Sequence, residues 1–376
     1  MTDLFFYGTL CDADLLACVL GHAPQPSPEP AKLPGYRVAA VEGHGFPMLV
    51  KAPDGRAEGV LLRGLSPGDV ARLEFYEGVF AYGLRPVRVI AGNGPADARV
   101  FIADDAGLVP AGDWRLADWQ ARDKALAVEA AAEEMGFFGE KSLEEMRALR
   151  PGIRMRAWSR LLARKGGPRD LARPFSREGD VEAVSRRHAH AGFFLLEEHR
   201  LRHRRFDGRM SPELWREVFL TADAVTVLPY DPGRDLVLLI EQFRAGPFGR
   251  GDPAPWCLEP IAGRVDAGEA PEATARREAE EEAGIVLSAL ERIGGYYSSP
   301  GAFGEYLHSY LGLCALSPGM AGVHGLDAED EDIRTLVIPF ARLMEMVETG
   351  EAENGPLLVS ALWLARNRER LREQAG

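Results

Sequence analysis

GRVDAGEAPEATARREAEEEAGI, residues 263–285, reads as a loop followed by a helix with a fixed acidic pattern. Pro271 suits a first helical turn, where its missing N–H costs nothing, and Gly284 suits a stop. Between them Glu278, Glu281 and Glu282 stand at i, i+3 and i+4, so their carboxylates share one helix face. Glutamate-rich helices are usually solvated faces. Here Gly263, Glu269, Arg277, Glu278, Glu281, Glu282 and Gly284 hold a spacing that, at roughly 6% usage per residue type, arises by chance on the order of once in 10^8 trials. Three like charges on one face repel unless a cation neutralises them. Hard oxygen donors suit Mg²⁺ or Mn²⁺, with water and substrate phosphate completing the octahedron. Arg277, four residues before Glu281, is placed to orient carboxylates. Gly263 and the Gly268-Glu269 turn let the loop approach metal and diphosphate closely. The reaction this points to is water attack on a phosphoanhydride.

The complete spacing resembles the signature of the Nudix hydrolases. Its flanks, DAVTVLPYDPGRDLVLLIEQFR (223–244) and WCLEPIAG (256–263), resemble the ADP-ribose pyrophosphatase branch, as does Pro300, sixteen residues beyond Gly284. The resemblance covers residues 190 to 370. It implies that the acidic loop GLDAEDEDI (325–333) supplies the base, Glu329, with Glu331 as a further metal ligand or support; after Glu329, Glu331 and Glu305 are the next candidates for the base. It also implies that Ala262 offers a backbone carbonyl to the metal, beside Glu278, Glu281 and Glu282. Arg244 would hold a substrate phosphate or terminal ribose, and Pro300 would line the substrate site. Members of this branch are homodimers with crossing N-terminal strands, for which FFLLEEHRLRHRRFDGRMSPELWREVFL (193–220) stands here. A longer insertion, GPFGRGDPAPW (246–256), departs from the branch and bears on the substrate lip.

At 376 residues the chain calls for two domains, and 46% hydrophobic content is ample for two cores. A net charge of −13 argues against nucleic acid as the main partner. Cys11, Cys18, Cys257 and Cys314 lack CxxC spacing, which reads as reduced thiols in a cytoplasmic protein. No signal-like segment precedes the strand-like LFFYG, and no stretch approaches the length of a membrane span.

Residues 1 to 105 alternate short apolar runs (LFFY, YRVAAV, GVLLRGL, RPVRVI, ARVFIA) with Gly/Pro loops and read as strands. Ser66-Pro67-Gly68-Asp69 opens a short helix ending near Tyr76. From Trp114 to Arg164 the pattern is helical, strands return near Gly192, and the C-terminus is helical. The connector is basic: Arg147, Arg150, Arg154, Arg156, Arg160, Arg164, Lys165, Arg169, Arg173 and Arg177 meet only Asp170 in that span. Such a run is either an RNA or anion groove or, the plainer reading, a solvated face docking on the acidic domains.

FFYGTL (5–10) resembles the γ-glutamylcyclotransferase-like family, and YEGVFAYGLRPVRV (76–89) matches its second motif. By that resemblance the turn of Tyr7, Gly8, Thr9 and Leu10 presents backbone N–H groups to the α-carboxylate of a γ-glutamyl group. Glu77 would be the acid/base for ring closure to 5-oxoproline. One position departs from the motif, with Glu74 where an aspartate is usual. The fold also hosts members without catalysis, so a ligand-binding or regulatory role stands beside activity. The pairing of both domains resembles bacterial tellurite-resistance fusion proteins, a label that names a phenotype and supplies no mechanism.

The expectation is therefore a mixed α/β (α+β) chain. Residues 1–110 form a small β-barrel-like γ-glutamylcyclotransferase-like domain, 111–180 a helical basic connector, and 181–376 a Nudix α/β/α sandwich. The expected activity is Mg²⁺- or Mn²⁺-dependent hydrolysis of ADP-ribose to AMP and ribose 5-phosphate by a cytoplasmic homodimer. The alternatives are another nucleotide sugar such as GDP-mannose, or a sensor of γ-glutamyl compounds. No nucleic-acid or membrane partner is expected.

Overall fold

The short apolar runs near the N-terminus become strands that close on one another. The computed structural model describes residues 1–80, 82–103, 107–166, 175–324 and 332–375. The chain divides into two units, Met1–Pro168 and Arg169–Gly376. In the first, β1 (Thr2–Phe6), β2 (Glu29–Val41), β3 (Pro47–Leu65), β4 (Tyr82–Ala91), β5 (Gly94–Ala103) and β6 (Pro110–Asp113) lie in the order β3-β1-β5-β4-β2-β6. β2 also pairs with β3, from Glu29↔Leu61 to Ala40↔Pro47, and this second pairing makes the sheet a barrel. Gly59 is required there, because a Cβ would stand 2.0 Å from the Phe6 carbonyl oxygen. Leu4, Phe5, Leu15, Leu61, Leu73 and Val100 fill the core.

Five helices accompany the barrel: α1 (Ala13–Leu20), α2 (Pro67–Gly78), α3 (Leu116–Arg122), α4 (Lys124–Glu134) and α5 (Leu143–Lys165). A Ser66/Asp69 capping box starts α2 where the sequence reading put it. Helices α3–α5, read as part of a connector over 111–180, pack within the first unit instead. Trp119 and Ala131 join the barrel core, while Lys124 and Gln120 hold the Asp12 carboxylate at 2.8 and 2.7 Å.

Four arginines of the basic run find their counter-charges on α4, its neighbour in sequence. Arg150 pairs with Glu134 at 3.1 Å, Arg156 with Glu133 at 2.6 Å, and Arg160 with Glu129 and Glu133 at 2.6 and 2.9 Å. Arg164 also reaches Glu129. Arg169, Asp170 and Arg173 lie outside the described residues.

In the second unit β7 (Val181–Ala191), β8 (Leu195–His203) and β9 (Leu214–Leu220) form an antiparallel sheet. The larger sheet comprises β10 (Ala224–Asp231), β11 (Leu236–Phe243), β12 (Trp256–Glu259), β13 (Ile261–Arg264), β14 (Ala289–Tyr297), β15 (Tyr306–Leu313), β16 (Gly322–His324) and β17 (Ile333–Pro339). Its order is β14-β15-β10-β11-β17-β16, with β12 on β11 and β13 on β10. β10 is buried along its whole length, as expected of a near-continuous apolar strand at a sheet's centre. Leu228 and Tyr230 meet the C-terminal helices Phe340–Thr349 and Gly355–Ala375 through Leu343, Leu357 and Leu364. The helix of the opening motif, Pro271–Ala283, packs against β10 and β13.

All four cysteines are free. Among the described residues no helix is long and apolar enough to cross a membrane.

Arg156 and Glu133 are 4% and 2% exposed, so their ion pair is buried. Breaking one side of such a pair strands a charge, whereas apolar replacement of both is close to neutral. Glu133→Leu should therefore destabilise the first unit by about 3–5 kcal/mol, with much of the loss recovered in the Glu133→Leu/Arg156→Leu double variant. Urea unfolding of the full chain, followed through that unit's transition, tests this.

Candidate active sites

The acidic helix of the second unit carries its carboxylates against the loop that precedes it. Gly263 sits in β13 opposite Val225, and a Cβ there would fall 1.9 Å from Cδ of Glu278. The motif's first glycine is thus the floor on which Glu278 lies. Glu282, 3% exposed, accepts the backbone N–H of Ala262 at 3.2 Å. Glu281 stays on the same face but more exposed.

Arg277 ties this face together. Its Nη1 meets Glu281 at 2.7 Å and Glu278 at 2.9 Å, and its Nη2 reaches Glu269 at 3.3 Å. Thr274 donates to the same Glu269 carboxylate at 2.7 Å. Burial alone would lower the Arg277 pKa, but the charge of Glu278 and the hydrogen bonds to Glu269 and Glu281 outweigh it and raise it above the ordinary arginine value. One guanidinium against several carboxylates leaves this face negative. Among the described residues no three side chains of His, Cys, Asp or Glu already form a coordination shell. The donors are nonetheless all oxygen, so their chemistry fits a hard divalent cation.

Arg244 forms a two-pronged pair with the buried Glu259, at 2.6 and 3.0 Å, and Asn354 donates to the same carboxylate at 3.1 Å. Pro300 lies exposed in the turn before β15. Glu329 and Glu331 fall outside the described residues. Sequence reasoning named Glu305 only as a substitute base and passed over the groups around it. Asp223 lies 3.1 Å from His308, Arg264 stacks over the Phe193 ring at 3.9 Å, and Ser298 donates to Glu305 at 3.1 Å. Burial raises the Glu305 pKa and Ser298 opposes the shift. For Arg264 and His308, on β13 and β15, strand alternation was the signal, and it marks a face without marking a role; Asp223 and Ser298 stand just outside strands and carry none.

In the first unit Tyr7, Gly8, Thr9, Leu10 and Glu77 line one cavity of about 40 Å³ with Phe46, Pro47 and Tyr82. That is room for a few waters or a small polar group. Gly8 is required by close approach, since a Cβ would meet Pro47 Cγ at 2.9 Å. After it Cys11 N–H donates to the Gly8 carbonyl and Asp12 N–H to that of Thr9, both at 3.0 Å, which closes the turn. Glu77 stands in the last turn of α2, where Arg147 holds the Gly78 carbonyl at 2.8 Å. Burial pushes the Glu77 carboxyl up to about 7, against the lowering pull of Arg150. Burial likewise raises Tyr7 and Tyr82, so both remain neutral hydroxyls. Tyr82 donates to the Pro47 carbonyl at 2.9 Å.

Two family models match the chain. The NUDIX domain model covers residues 220–359, and the one described as gamma-glutamyl cyclotransferase, AIG2-like covers residues 4–116. The ADP-ribose pyrophosphatase of Escherichia coli (strain K12) is 37% identical over 197 residues, which is 52% of this chain and 93% of that protein. The Haemophilus influenzae ADP-ribose pyrophosphatase is 35% identical over 196 residues, covering 52% of this chain and 90% of its own. A GDP-mannose pyrophosphatase of Enterobacter sp. (strain 638) is 34% identical over 149 residues, 40% of this chain and 76% of that protein.

Both sites yield tests. Gly263→Ala should displace Glu278 and, since misplacement by about 1 Å can cost 10²-fold, lower Nudix hydrolase turnover at least about 100-fold with thermal unfolding little changed. Wild-type rates in this variant would show that the contact is incidental. At Glu77 the folded pKa lies above the unfolded one, so the folded state holds the proton more tightly. Stability from this group is then present below about pH 4.5 and lost as pH rises through about 7. Glu77→Gln should flatten that decline in the first unit, as read by unfolding at pH 5 and pH 8.

Proposed function

Because this chain belongs to the Nudix hydrolases, we propose that its second unit splits ADP-ribose into AMP and ribose 5-phosphate with the help of Mg²⁺ or Mn²⁺. The observation that carries this is the seating of Glu278 on Gly263 and of Glu282 on the Ala262 N–H, beside Arg277. Similarity to the ADP-ribose pyrophosphatases spans nearly all of those proteins, whereas that to the GDP-mannose enzyme is shorter. GDP-mannose is the second substrate to test.

Glu278, Glu281, Glu282 and the Ala262 carbonyl would hold the metal, with Glu331 in support. Bound there, it supplies charge neutralisation and polarisation of the diphosphate. Arg277 keeps the carboxylates oriented, and Arg244 takes a phosphate or the terminal ribose. Pro300 belongs to the substrate lip. Glu329 removes a proton from the attacking water, whose oxygen bonds to one phosphorus as the bridging P–O bond breaks. Glu305, held by Ser298, is the alternative base. Two copies pair through the β7–β9 sheet, whose exposed Trp215 and Phe219 offer apolar area for it.

The first unit is a γ-glutamyl site. The turn Tyr7–Leu10 receives the α-carboxylate, and Glu77, poised near neutrality, moves a proton from the attacking α-amine to the departing nitrogen. 5-Oxoproline and a free amine result.

Glu282→Gln keeps the side-chain oxygen that accepts from Ala262 but removes a charge from the acidic face. It should lower kcat on ADP-ribose by orders of magnitude at saturating Mg²⁺, and more than about a tenth of wild-type turnover would contradict the assignment. A parallel kcat/KM series on ADP-ribose and GDP-mannose ranks the two substrates.

A further inference from the structure

A second cavity, of about 330 Å³, adjoins the one around Glu77 and shares Thr9, Phe46, Tyr76 and Phe80 with it. Its other walls include Trp119, Asp123, Arg150 and Arg154, from α3 and α5 and the start of α4. Those residues lie beyond the stretch matched by the cyclotransferase model, so this wall of the cavity is supplied from outside it. Arg150 is committed: its guanidinium stacks on Phe80 at 3.7 Å and pairs with Glu134. Arg154 makes no salt bridge or side-chain hydrogen bond among the described residues, although it is only partly exposed. Its neighbours on α5 found partners on α4, and Arg154 is left facing the cavity. Burial, then repulsion by Arg150, lower its pKa from the ordinary arginine value, while Glu134 and Asp123 pull the other way. A half-desolvated guanidinium with open donors is a site for a carboxylate.

We propose that this cavity is the leaving-group subsite of the first unit and selects γ-glutamyl compounds whose leaving group carries a carboxylate, with Arg154 as its contact. The proposal rests on the cyclotransferase reading of Glu77. In the step concerned, the α-amino nitrogen bonds to the γ-carbonyl carbon and the bond from that carbon to the leaving nitrogen breaks. The proton lost by the amine reaches the leaving nitrogen through Glu77, and nothing is oxidised or reduced. The small cavity has room for a polar end of the glutamyl half at the Tyr7–Leu10 turn, and the larger one has room for an amino acid or short peptide.

The experiment compares, on the full-length protein, a γ-glutamyl dipeptide bearing a free C-terminal carboxylate with its C-terminal amide. The readout is 5-oxoproline release. The acid should be preferred by at least about tenfold in kcat/KM, mainly through KM, as expected of a charge-assisted hydrogen bond. Arg154→Gln should bring the acid-to-amide ratio towards one, and Arg154→Lys should retain part of it, with circular dichroism confirming that both variants fold. Equal use of acid and amide by the wild type, or a ratio that survives Arg154→Gln, overturns the subsite and leaves the Glu77 reading intact. If the compounds bind without turnover, the same ratio is read in Kd by calorimetry and decides the subsite in the same way. If neither compound is bound or turned over, both readings fall together.

Discussion

Everything in the second unit's site depends on bringing carboxylates together without letting their repulsion push the helix off the sheet. Two devices do this before any cation enters. Gly263 has no side chain, so Glu278 can lie on the strand itself. Arg277 then reaches Glu269, Glu278 and Glu281 from the same helix, and fixes loop and helix to each other. The spacing of the motif is the spacing of these contacts. Glycine, arginine and glutamates are therefore one mechanical unit.

The first unit solves a different charge problem. α5 carries far more arginine than its short stretch of sequence can neutralise, and α4 answers with Glu129, Glu133 and Glu134 on the facing side. Because the matching is pairwise and partly buried, it sets the register of the two helices against each other. Buried pairs of this sort are weak sources of net stability but strict about geometry. Their strictness positions Arg150 beside Phe80 and the Glu77 cavity.

Much of this was legible in the sequence. The helix between Pro271 and Gly284 followed from capping and spacing, and the turn Tyr7–Leu10 and Glu77, far apart in the chain, proved to share one cavity. The helices after Trp114 were legible as helices but not as part of the first unit. Composition reveals a basic run and an alanine-rich run, yet not that Glu129, Glu133 and Glu134 turn toward the arginines. A barrel was expected from the resemblance, but not that β2 and β3 would close it, since a strand's second partner leaves no local mark. Asp223 and His308 went unread for a related reason: single polar residues on or beside a strand carry no spacing that separates a functional group from a satisfied one.

The four free cysteines have a chemical consequence beyond the lack of disulfides. Burial drives the thiols of Cys11 and Cys314 up to about 12, and it raises Cys18 and Cys257 as well. Nucleophilic attack, metal capture and oxidation to sulfenic acid all proceed through the thiolate. At neutral pH a thiol titrating near 12 is ionised in only about one molecule in 10^5. The thiols of Cys11 and Cys314 are thus almost mute towards electrophiles and thiol oxidants.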